Sequence, residues 1–205
     1  MPPDPLVLAF DTSAAHCAVA LLCGHDLLAA RVDEMARGQA EHLMPMMVEI
    51  LSGAGLDWPD LAAIGVGVGP GNFTGIRISV AAARGLALSL EIPAIGVTGF
   101  EAISLGSARP VWATIPAPRE RVYAQYKSGS PHEPIHMLAH EFTAQAEQTD
   151  APILELTDIS AARFVENIAR HALARLGHEN PRPTPLYMRA ADAAPSRDKA
   201  PAILP

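Results

Sequence analysis

The sequence predicts a mixed α/β fold, because three strand-like segments precede an alternation of helical and strand-like segments. The chain has 205 residues, of which 49% are hydrophobic, so it can bury a core in one compact domain or two small lobes. Charged residues make up only 18%, below the roughly 25% of an average soluble domain. Part of the surface is therefore expected to be covered by another protein.

Three strands are predicted at the start of the chain. Leu6–Phe10 is a continuous apolar run followed by the polar residues 11–13, a pattern typical of a buried strand with a polar tip. Cys17–Cys23 and Leu27–Asp33 follow with a short turn between them. These segments predict an antiparallel meander.

A helix is predicted over Leu43–Leu51, where apolar residues recur at helical spacing. Pro45 is expected in or near its first turn, because proline removes a hydrogen bond further inside a helix. Gly53 and Gly55 are expected to end it.

The alternation continues with a strand at Ala63–Val68, a helix from about Gly75 to Leu90 with Thr74 as its cap, and a strand at Ile92–Val97. Three strands followed by helix, strand, helix and strand match a ribonuclease-H-like or actin-like half-fold. A Rossmann half would instead begin strand–helix–strand.

The second half of the chain is expected to be rich in loops, with strands at Val111–Ile115 and Val122–Lys127 and a helix at Ala161–Leu176. Twelve of the 19 prolines lie at or after Pro110. We therefore predict an N-terminal lobe over residues 1–98 and a smaller lobe over 99–190. Residues 191–205 are predicted to form an extended or disordered tail.

A glycine-rich segment connects the fourth strand to the second helix, and five glycines occur within residues 65–75. Such a bend before a helix N-terminus can bind an anion. The segment lacks the Gly-Lys-Ser/Thr of a P-loop, and a tight turn whose glycines serve packing is the equal alternative. Its candidate residues are Gly69, Gly71, Thr74, Gly75 and Arg77.

The polar tip of the first strand is Asp11, Thr12 and Ser13. A strand-terminal aspartate can hold a metal or position a water, and hydroxyl groups with turn amides can hold a phosphate. An Asx-type turn that caps the hairpin is the alternative.

Three histidines, His132, His136 and His140, would form one metal-binding stripe on a helix. Pro131 and Pro134 argue against a regular helix there, so exposed loop histidines are the favoured interpretation. No metal site is predicted.

The two helices of the first half are apolar on more than one side, and residues 61–100 contain only three charged side chains. Ordinary core packing and a helix–helix contact with a partner both explain this pattern. The candidate contact residues are Leu43, Met46, Met47, Ile50, Ile76, Val80, Ala82, Ala83 and Leu86.

The net charge, the first residues and the two cysteines indicate where the protein is located and whether it binds nucleic acid or a membrane. The net charge of −7 disfavours direct nucleic-acid binding. The first residues lack the basic and apolar regions of a signal peptide, and Ile76–Val97 is interrupted by charges and a proline, so no membrane span is expected. Cys17 and Cys23 lie six residues apart on one predicted strand, too far for a disulfide. We expect a cytoplasmic protein.

Several motifs together resemble the bacterial TsaB family of tRNA threonylcarbamoyladenosine biosynthesis proteins, also called YeaZ. The similarity covers most of residues 6–127 and reappears near the end of the chain. The motifs are Phe10–Ser13, Gly69–Arg77, Arg84–Ala87, Ile92–Val97 and Pro185–Arg189.

The resemblance implies an actin-like fold of the sugar-kinase and Hsp70 type, with two lobes of which the second is shortened here. It implies a non-catalytic partner of the paralogous transferase TsaD that acts with the ATPase TsaE. The paralogue holds a metal with a His-x-x-x-His motif after a strand that resembles Ile92–Val97, but Gly99 and Ile103 stand at those positions here. The alternative is a small ATPase or kinase of the same superfold.

The resemblance also implies how the chain would assemble. The family's contact surface consists of two helices that match Leu43–Leu51 and Ile76–Leu90, and the same surface forms a homodimer when the partner is absent. On this view the tRNA is held by the partners, and this chain contacts it only indirectly. No resident cofactor is implied, although the fold leaves room for ATP in the complex or weakly in the chain alone.

Overall fold

The computed structural model describes residues 4–130 and 132–188, which form two β-sheets and five α-helices. The first sheet has the strand order β3-β2-β1-β4-β5, in which β1 to β3 are antiparallel and β4 and β5 run parallel to β1. Its strands are β1 (Leu6–Asp11), β2 (His16–Cys23), β3 (Asp26–Glu34), β4 (Leu61–Gly67) and β5 (Ala94–Val97).

The second sheet is smaller and has the order β8-β7-β6-β9, with β6, β7 and β8 antiparallel and β9 parallel to β6. Its strands are β6 (Val111–Ala117), β7 (Arg121–Lys127), β8 (Ile135–Leu138) and β9 (Ile153–Glu155). The helices of the molecule are α1 (Gln39–Gly53), α2 (Phe73–Leu90), α3 (Gly99–Ile103), α4 (Ala139–Ala146) and α5 (Ala161–Ala174).

The first sheet is covered on both faces, which explains why β1 is apolar from Leu6 to Phe10. Leu8 and Phe10 face the core that contains α1 and α2. Val7 and Ala9, which alternate with them, face the core that contains α5. Because successive side chains of a strand point to opposite faces, a sheet buried on both faces needs a continuous apolar run.

Helix α5 belongs to the second half of the chain but packs on the first sheet. Gly65 of β4 allows this contact, since a Cβ there would lie 3.0 Å from the Cβ atoms of both Ala9 and Ala172. The first sheet ends with β5 at Val97 and the second begins with β6 at Val111, while the lobe boundary at residue 98 stays a prediction. Helix α5 nevertheless makes the core of the first lobe depend on residues 161–174.

The predicted elements occur in the predicted order along the chain, and the structure differs from the prediction in three respects. Helix α1 begins at Gln39, so Pro45 lies in its second turn rather than its first. The cap of α2 is Asn72, whose side chain accepts from the Gly75 amide at 2.9 Å, while Thr74 lies inside the helix. Regular structure also forms at α3, β8, α4 and β9, where loops were expected.

Both cysteines are free and lie on β2, as the spacing predicts. Burial, followed by the nearby carboxylates of Asp33 and Asp11, raises the pKa of the Cys17 thiol to about 11, so it stays protonated and unreactive near neutral pH. The predicted tail at 191–205 lies outside the described residues.

Helices α3 and α5 are joined by a polar contact that includes two titratable groups. His171 Nε2 lies 2.9 Å from the Glu101 carbonyl oxygen, and the Arg175 guanidinium binds the Glu101 carboxylate. Burial lowers the pKa of His171. Burial alone would raise the pKa of Glu101, but hydrogen bonds from Thr98 and the charge of Arg175 outweigh it, and the net shift is downward.

We predict that His171 makes the fold less stable in mild acid. In the unfolded chain His171 takes up a proton near its ordinary pKa of about 6.5, whereas the folded state resists protonation, so the free energy of unfolding falls as the pH drops through this range. Glu101 acts at lower pH, because its stabilising effect is lost only as the pH falls below its ordinary pKa. Urea unfolding at pH 7.5 and pH 5.5 should show a smaller difference for His171→Gln than for the unchanged chain; equal differences would contradict the assignment.

Candidate functional site

The polar tip of β1 and the glycine-rich segment before α2 are hydrogen-bonded to each other. Thr12 Oγ1 donates to the Gly75 carbonyl at 2.7 Å, and the Asn72 amide donates to the Ser13 carbonyl at 2.6 Å. Asp11 and Thr12 are fully buried. The two segments that sequence reasoning selected separately are therefore one structural unit.

Glycine is required in this unit because the two backbones are in contact. A Cβ at position 75 would lie 1.8 Å from the Thr12 carbonyl oxygen, and one at position 71 would lie 2.4 Å from the Ser13 carbonyl oxygen. Gly69 adopts a φ of 94°, in the left-handed region that favours glycine. The geometry supports the packing interpretation of these glycines.

Asp11 organises the turn that follows it. Its Oδ1 atom accepts from the Ser13 amide at 3.0 Å and from the Ser13 hydroxyl at 2.9 Å, and it lies 2.9 Å from His16 Nε2. The first of these bonds is the Asx turn that the sequence offered as an alternative. Oδ2 is buried without a hydrogen-bond partner among the described residues and packs against Gly67, where a Cβ would lie 2.0 Å away. The carboxylate faces the sheet.

A cleft of about 840 Å³ lies beside this unit, between the two sheets. None of the residues that line it within the described chain is Asp, Glu, Lys or Arg. A bound triphosphate needs cations or metal-binding carboxylates, and this lining supplies neither. Its residues are Ser13, Ala14, Ala15, Ala36, Gln39, Pro70, Gly71, Asn72, Phe73, Ile76, Ile115, Pro116, Pro118, Tyr123, Leu156, Thr157, Leu186, Tyr187 and Met188.

One wall of the cleft is a C-terminal strap, residues 183–188, that returns to the first lobe. The Leu186 amide donates to the Val68 carbonyl at 2.8 Å, immediately after β4. Arg84 Nε donates to the Pro183 carbonyl at 2.7 Å, and Arg77 Nε donates to the Tyr187 hydroxyl at 2.8 Å.

Arg77 was expected to belong to the glycine segment, but its structural role is to hold the strap. Its guanidinium also lies 3.9 Å from the centroid of the Phe73 ring. Spacing within the sequence could not reveal the hydrogen bonds of Arg77 and Arg84 to the strap, because each joins residues more than 90 positions apart. Arg189, the last residue of the Pro185–Arg189 motif, lies outside the described residues.

The two positions that the resemblance sets against the paralogue's metal-binding histidines carry no ligating side chain. A Cβ at Gly99 would lie 2.5 Å from Ile115 Cδ1, so a side chain there would require Ile115 to move. Ile103 is buried in the core that contains α5. Within residues 4–130 and 132–188, no group of three His, Cys, Asp or Glu side chains could hold a metal.

The three histidines of the second lobe do not form a stripe. His132 lies in a loop with Nε2 3.0 Å from Ser128 Oγ, and His140 lies in the first turn of α4. His136 is a residue of β8 rather than a loop, and its ring lies 4.8 Å from the Tyr123 ring.

The predicted partner contact needs correction at the level of residues. Seven of its nine side chains are buried in the core that contains α1 and α2, so they stabilise this chain and are not available to a partner. Ala82 and Leu86 are half-buried. The seven are Leu43, Met46, Met47, Ile50, Ile76, Val80 and Ala83.

The same two helices do expose an apolar surface on their outer sides. On α2, Leu88 is 80% exposed, and on α1, Met44 and Val48 are 40% and 48% exposed. On each helix, these exposed side chains lie three or four positions from other exposed residues that are small or apolar, so they share one side of the helix. We call this surface the docking face; it consists of Met44, Pro45, Val48, Ala81, Gly85 and Leu88.

Comparison with known proteins relates this arrangement to one family. A family model described as TsaD, tRNA N6-adenosine threonylcarbamoyltransferase, matches residues 33–157. The TsaB protein of Bacillus subtilis is 27% identical over 88% of this chain and 84% of its own length. The TsaB protein of Escherichia coli is 37% identical over 53% of this chain and 46% of its own length. The chain belongs to the TsaB (YeaZ) family.

Other relatives agree with this assignment. A Mycobacterium tuberculosis protein without an assigned function is 32% identical over 92% of this chain and 94% of its own length. YeaZ from Pseudomonas aeruginosa has the same fold, with a TM-score of 0.68 and 23% identity over 89% of this chain and 99% of that one. The predicted actin-like α/β fold is therefore confirmed.

Two glycines of α2 provide a matched test of the bonded unit. Gly75→Ala should lower the free energy of unfolding by about 3 kcal/mol, because the new methyl group collides with the Thr12 carbonyl. Gly85→Ala meets no atom within 4 Å and should stabilise the chain by about 0.5–1 kcal/mol through helix propensity. Urea denaturation of both variants measures the difference, and equal effects would contradict the role given to Gly75.

We also predict that the isolated chain does not bind ATP with a dissociation constant below about 1 mM, since the cleft offers no charged side chain to the phosphates. Isothermal titration with Mg²⁺–ATP tests this expectation. Saturable binding that is abolished by a Ser13→Tyr change in the cleft wall would show that the cleft is a nucleotide site after all.

Proposed function

We propose that this chain is a non-catalytic subunit for threonylcarbamoyladenosine biosynthesis in tRNA, where it docks on a TsaD-like transferase and acts with a TsaE-like ATPase in the cytoplasm. Family membership supports the pathway, since its curated members are named tRNA threonylcarbamoyladenosine biosynthesis proteins. The match to the TsaD family model supports a partner of related fold.

The proposed lack of catalysis rests on how the candidate chemical groups are used. Asp11 and Thr12 bond to neighbouring residues of the same chain. Positions 99 and 103, which the resemblance sets against a metal-binding pair, are glycine and isoleucine, and neither side chain can ligate a metal. A general base, a nucleophile or a metal ligand must face its substrate. Asp11 and Thr12 are fully buried, and the hydroxyl of Ser13, a residue of the cleft wall, donates to Asp11.

The observation that carries the docking proposal is the exposure of Leu88. A leucine that is 80% exposed places most of its apolar surface in water, and burial by a partner would recover it. Among the described residues α2 is also the one helix long and apolar enough to span a membrane by length and composition. Since α2 packs on the first sheet through Ile76, Ser79 and Val80, we assign its outer apolar side to a protein partner.

Small residues on the docking face allow a partner helix to approach closely. Ala81 and Gly85 are exposed one turn apart on α2, and apart from its own helix backbone and chain neighbours a Cβ built at Gly85 meets no atom of the described residues within 4 Å. Methionine at position 44 can adjust its rotamer to either of two partners. We therefore propose that the same face forms the homodimer when the transferase is absent.

Leu88→Glu should weaken association with the transferase at least about tenfold, because it replaces the most exposed large apolar side chain of the docking face by a charge. Size-exclusion chromatography of the mixed proteins measures the loss, and light scattering of the chain alone measures the homodimer. The melting temperature should stay unchanged, since the side chain is exposed.

The matched control is Leu28→Glu, which makes the same change at a leucine 46% exposed on β3. It should leave both associations intact. If Leu88→Glu co-elutes with the transferase as the unchanged chain does, the docking face is assigned wrongly.

A further inference from the structure

Charge is unevenly distributed along this acidic chain. Residues 26–60 carry seven acidic and two basic side chains, and residues 133–158 carry six acidic and none that is Lys or Arg. The intervening and following segments have the opposite balance, with six basic against three acidic residues over 61–130 and four against two over 159–188. The net charge of −7 therefore coexists with basic regions.

Part of this basic charge gathers where β7 ends beside α3 and α5. Lys127 is paired with Val111 of β6, two residues after Arg109. Partial burial lowers the pKa of Lys127, and among its charged neighbours Arg109 and Arg175 lower it further while Glu101 raises it. Glu101 is already bound by Arg175, and no carboxylate of the described residues lies within hydrogen-bonding distance of the Lys127 ammonium. The Glu101 carboxylate is therefore the one negative charge that these observations place beside the three cations Arg109, Lys127 and Arg175.

The basic surface continues toward the C-terminal strap. Arg175 Nη1 donates to the Gly96 carbonyl at 3.1 Å, and a Cβ at Gly96 would lie 3.4 Å from Pro183. Arg182, which precedes Pro183, is exposed. Glu179 stands three residues before Arg182 in the chain and is also exposed. We name Arg109, Lys127, Arg175 and Arg182 the basic stripe.

The position of the stripe suggests what covers it. Arg84 of α2 binds the Pro183 carbonyl, so the stripe begins beside the helix that carries the docking face. A polyanion held by a partner on α2 would continue onto it. Arginine and lysine with few neighbouring carboxylates are the side chains that neutralise phosphodiester groups.

We propose that the basic stripe binds the phosphodiester backbone of tRNA when this chain is docked on the transferase. The inference rests on the proposed function and extends it, since the sequence alone led us to expect only an indirect contact with tRNA. Binding is through backbone phosphates and is independent of base sequence. The stripe adds affinity and orientation to the RNA site that the partner supplies.

The test uses the full chain with the transferase and a fluorescently labelled tRNA transcript. Arg109→Ala/Arg182→Ala removes two exposed cations that have no structural bond among the described residues. Anisotropy titrations from 50 to 250 mM salt should show roughly five- to tenfold weaker binding at low salt. The slope of log K against log salt should fall by about 1.5, since each lost phosphate contact reduces it by roughly 0.7–0.9.

Arg37→Ala is the matched control, because Arg37 is exposed in the acidic segment between β3 and α1. It should leave affinity and slope unchanged. If the double variant has the affinity and slope of the unchanged complex, the proposal is overturned, while intact co-elution with the transferase would leave the docking proposal standing.

Two further outcomes are decisive. If the double variant loses association with the transferase in the absence of RNA, the stripe is a protein interface and the proposal is overturned. If the unchanged chain forms no complex with the transferase, the proposed function fails. The anisotropy titration is then repeated with this chain and tRNA alone, and its result decides whether the basic stripe binds RNA. RNA binding that depends on Arg109 and Arg182 would then support the stripe, and its absence would overturn it.

Discussion

The contact between the end of β1 and the start of α2 is the constraint on which the rest of the molecule depends. Thr12 and Ser13 bond to the backbone of residues 72–75, and only glycine at position 75 permits that approach. This contact fixes the axis of α2 against the first sheet. The axis in turn decides which side of α2 is core, which side carries Leu88 and where Arg77 and Arg84 meet the strap.

The first half of the fold could be predicted because its signals are local. Continuous apolar runs mark β1 and β2, and helical spacing marks α1. Strands β8 and β9 were missed, since three or four half-exposed residues give no clear periodicity.

The site was predicted only in part. Residues 11–13 and 69–75 were found, but periodicity could not separate the buried side of α2 from its exposed side, because both are apolar.

The groups at the end of β1 are those from which a ligand-binding turn is built. Asp11 lies at a strand end and is followed by two hydroxyl residues, one of which bonds to the first turn of α2. A strand-end carboxylate, turn hydroxyls and a helix N-terminus each favour an anion or a metal. Here Oδ1 of Asp11 binds the turn, Oδ2 packs on Gly67 without a hydrogen-bond partner among the described residues, and the Thr12 hydroxyl binds the Gly75 carbonyl. Oδ1 and the Thr12 hydroxyl therefore stabilise this part of the fold.

Helix α5 has a consequence for how this fold can be divided. The first sheet is complete by residue 97, yet one of its faces is covered by a helix that the chain supplies only after building a second sheet. A fragment that stopped at residue 98 would leave Val7, Ala9 and Ile95 in water. The lobes are therefore not independent modules. The segment that carries α5 cannot be removed without uncovering one face of the first sheet, so the first lobe is completed only by residues that follow the second sheet in the chain.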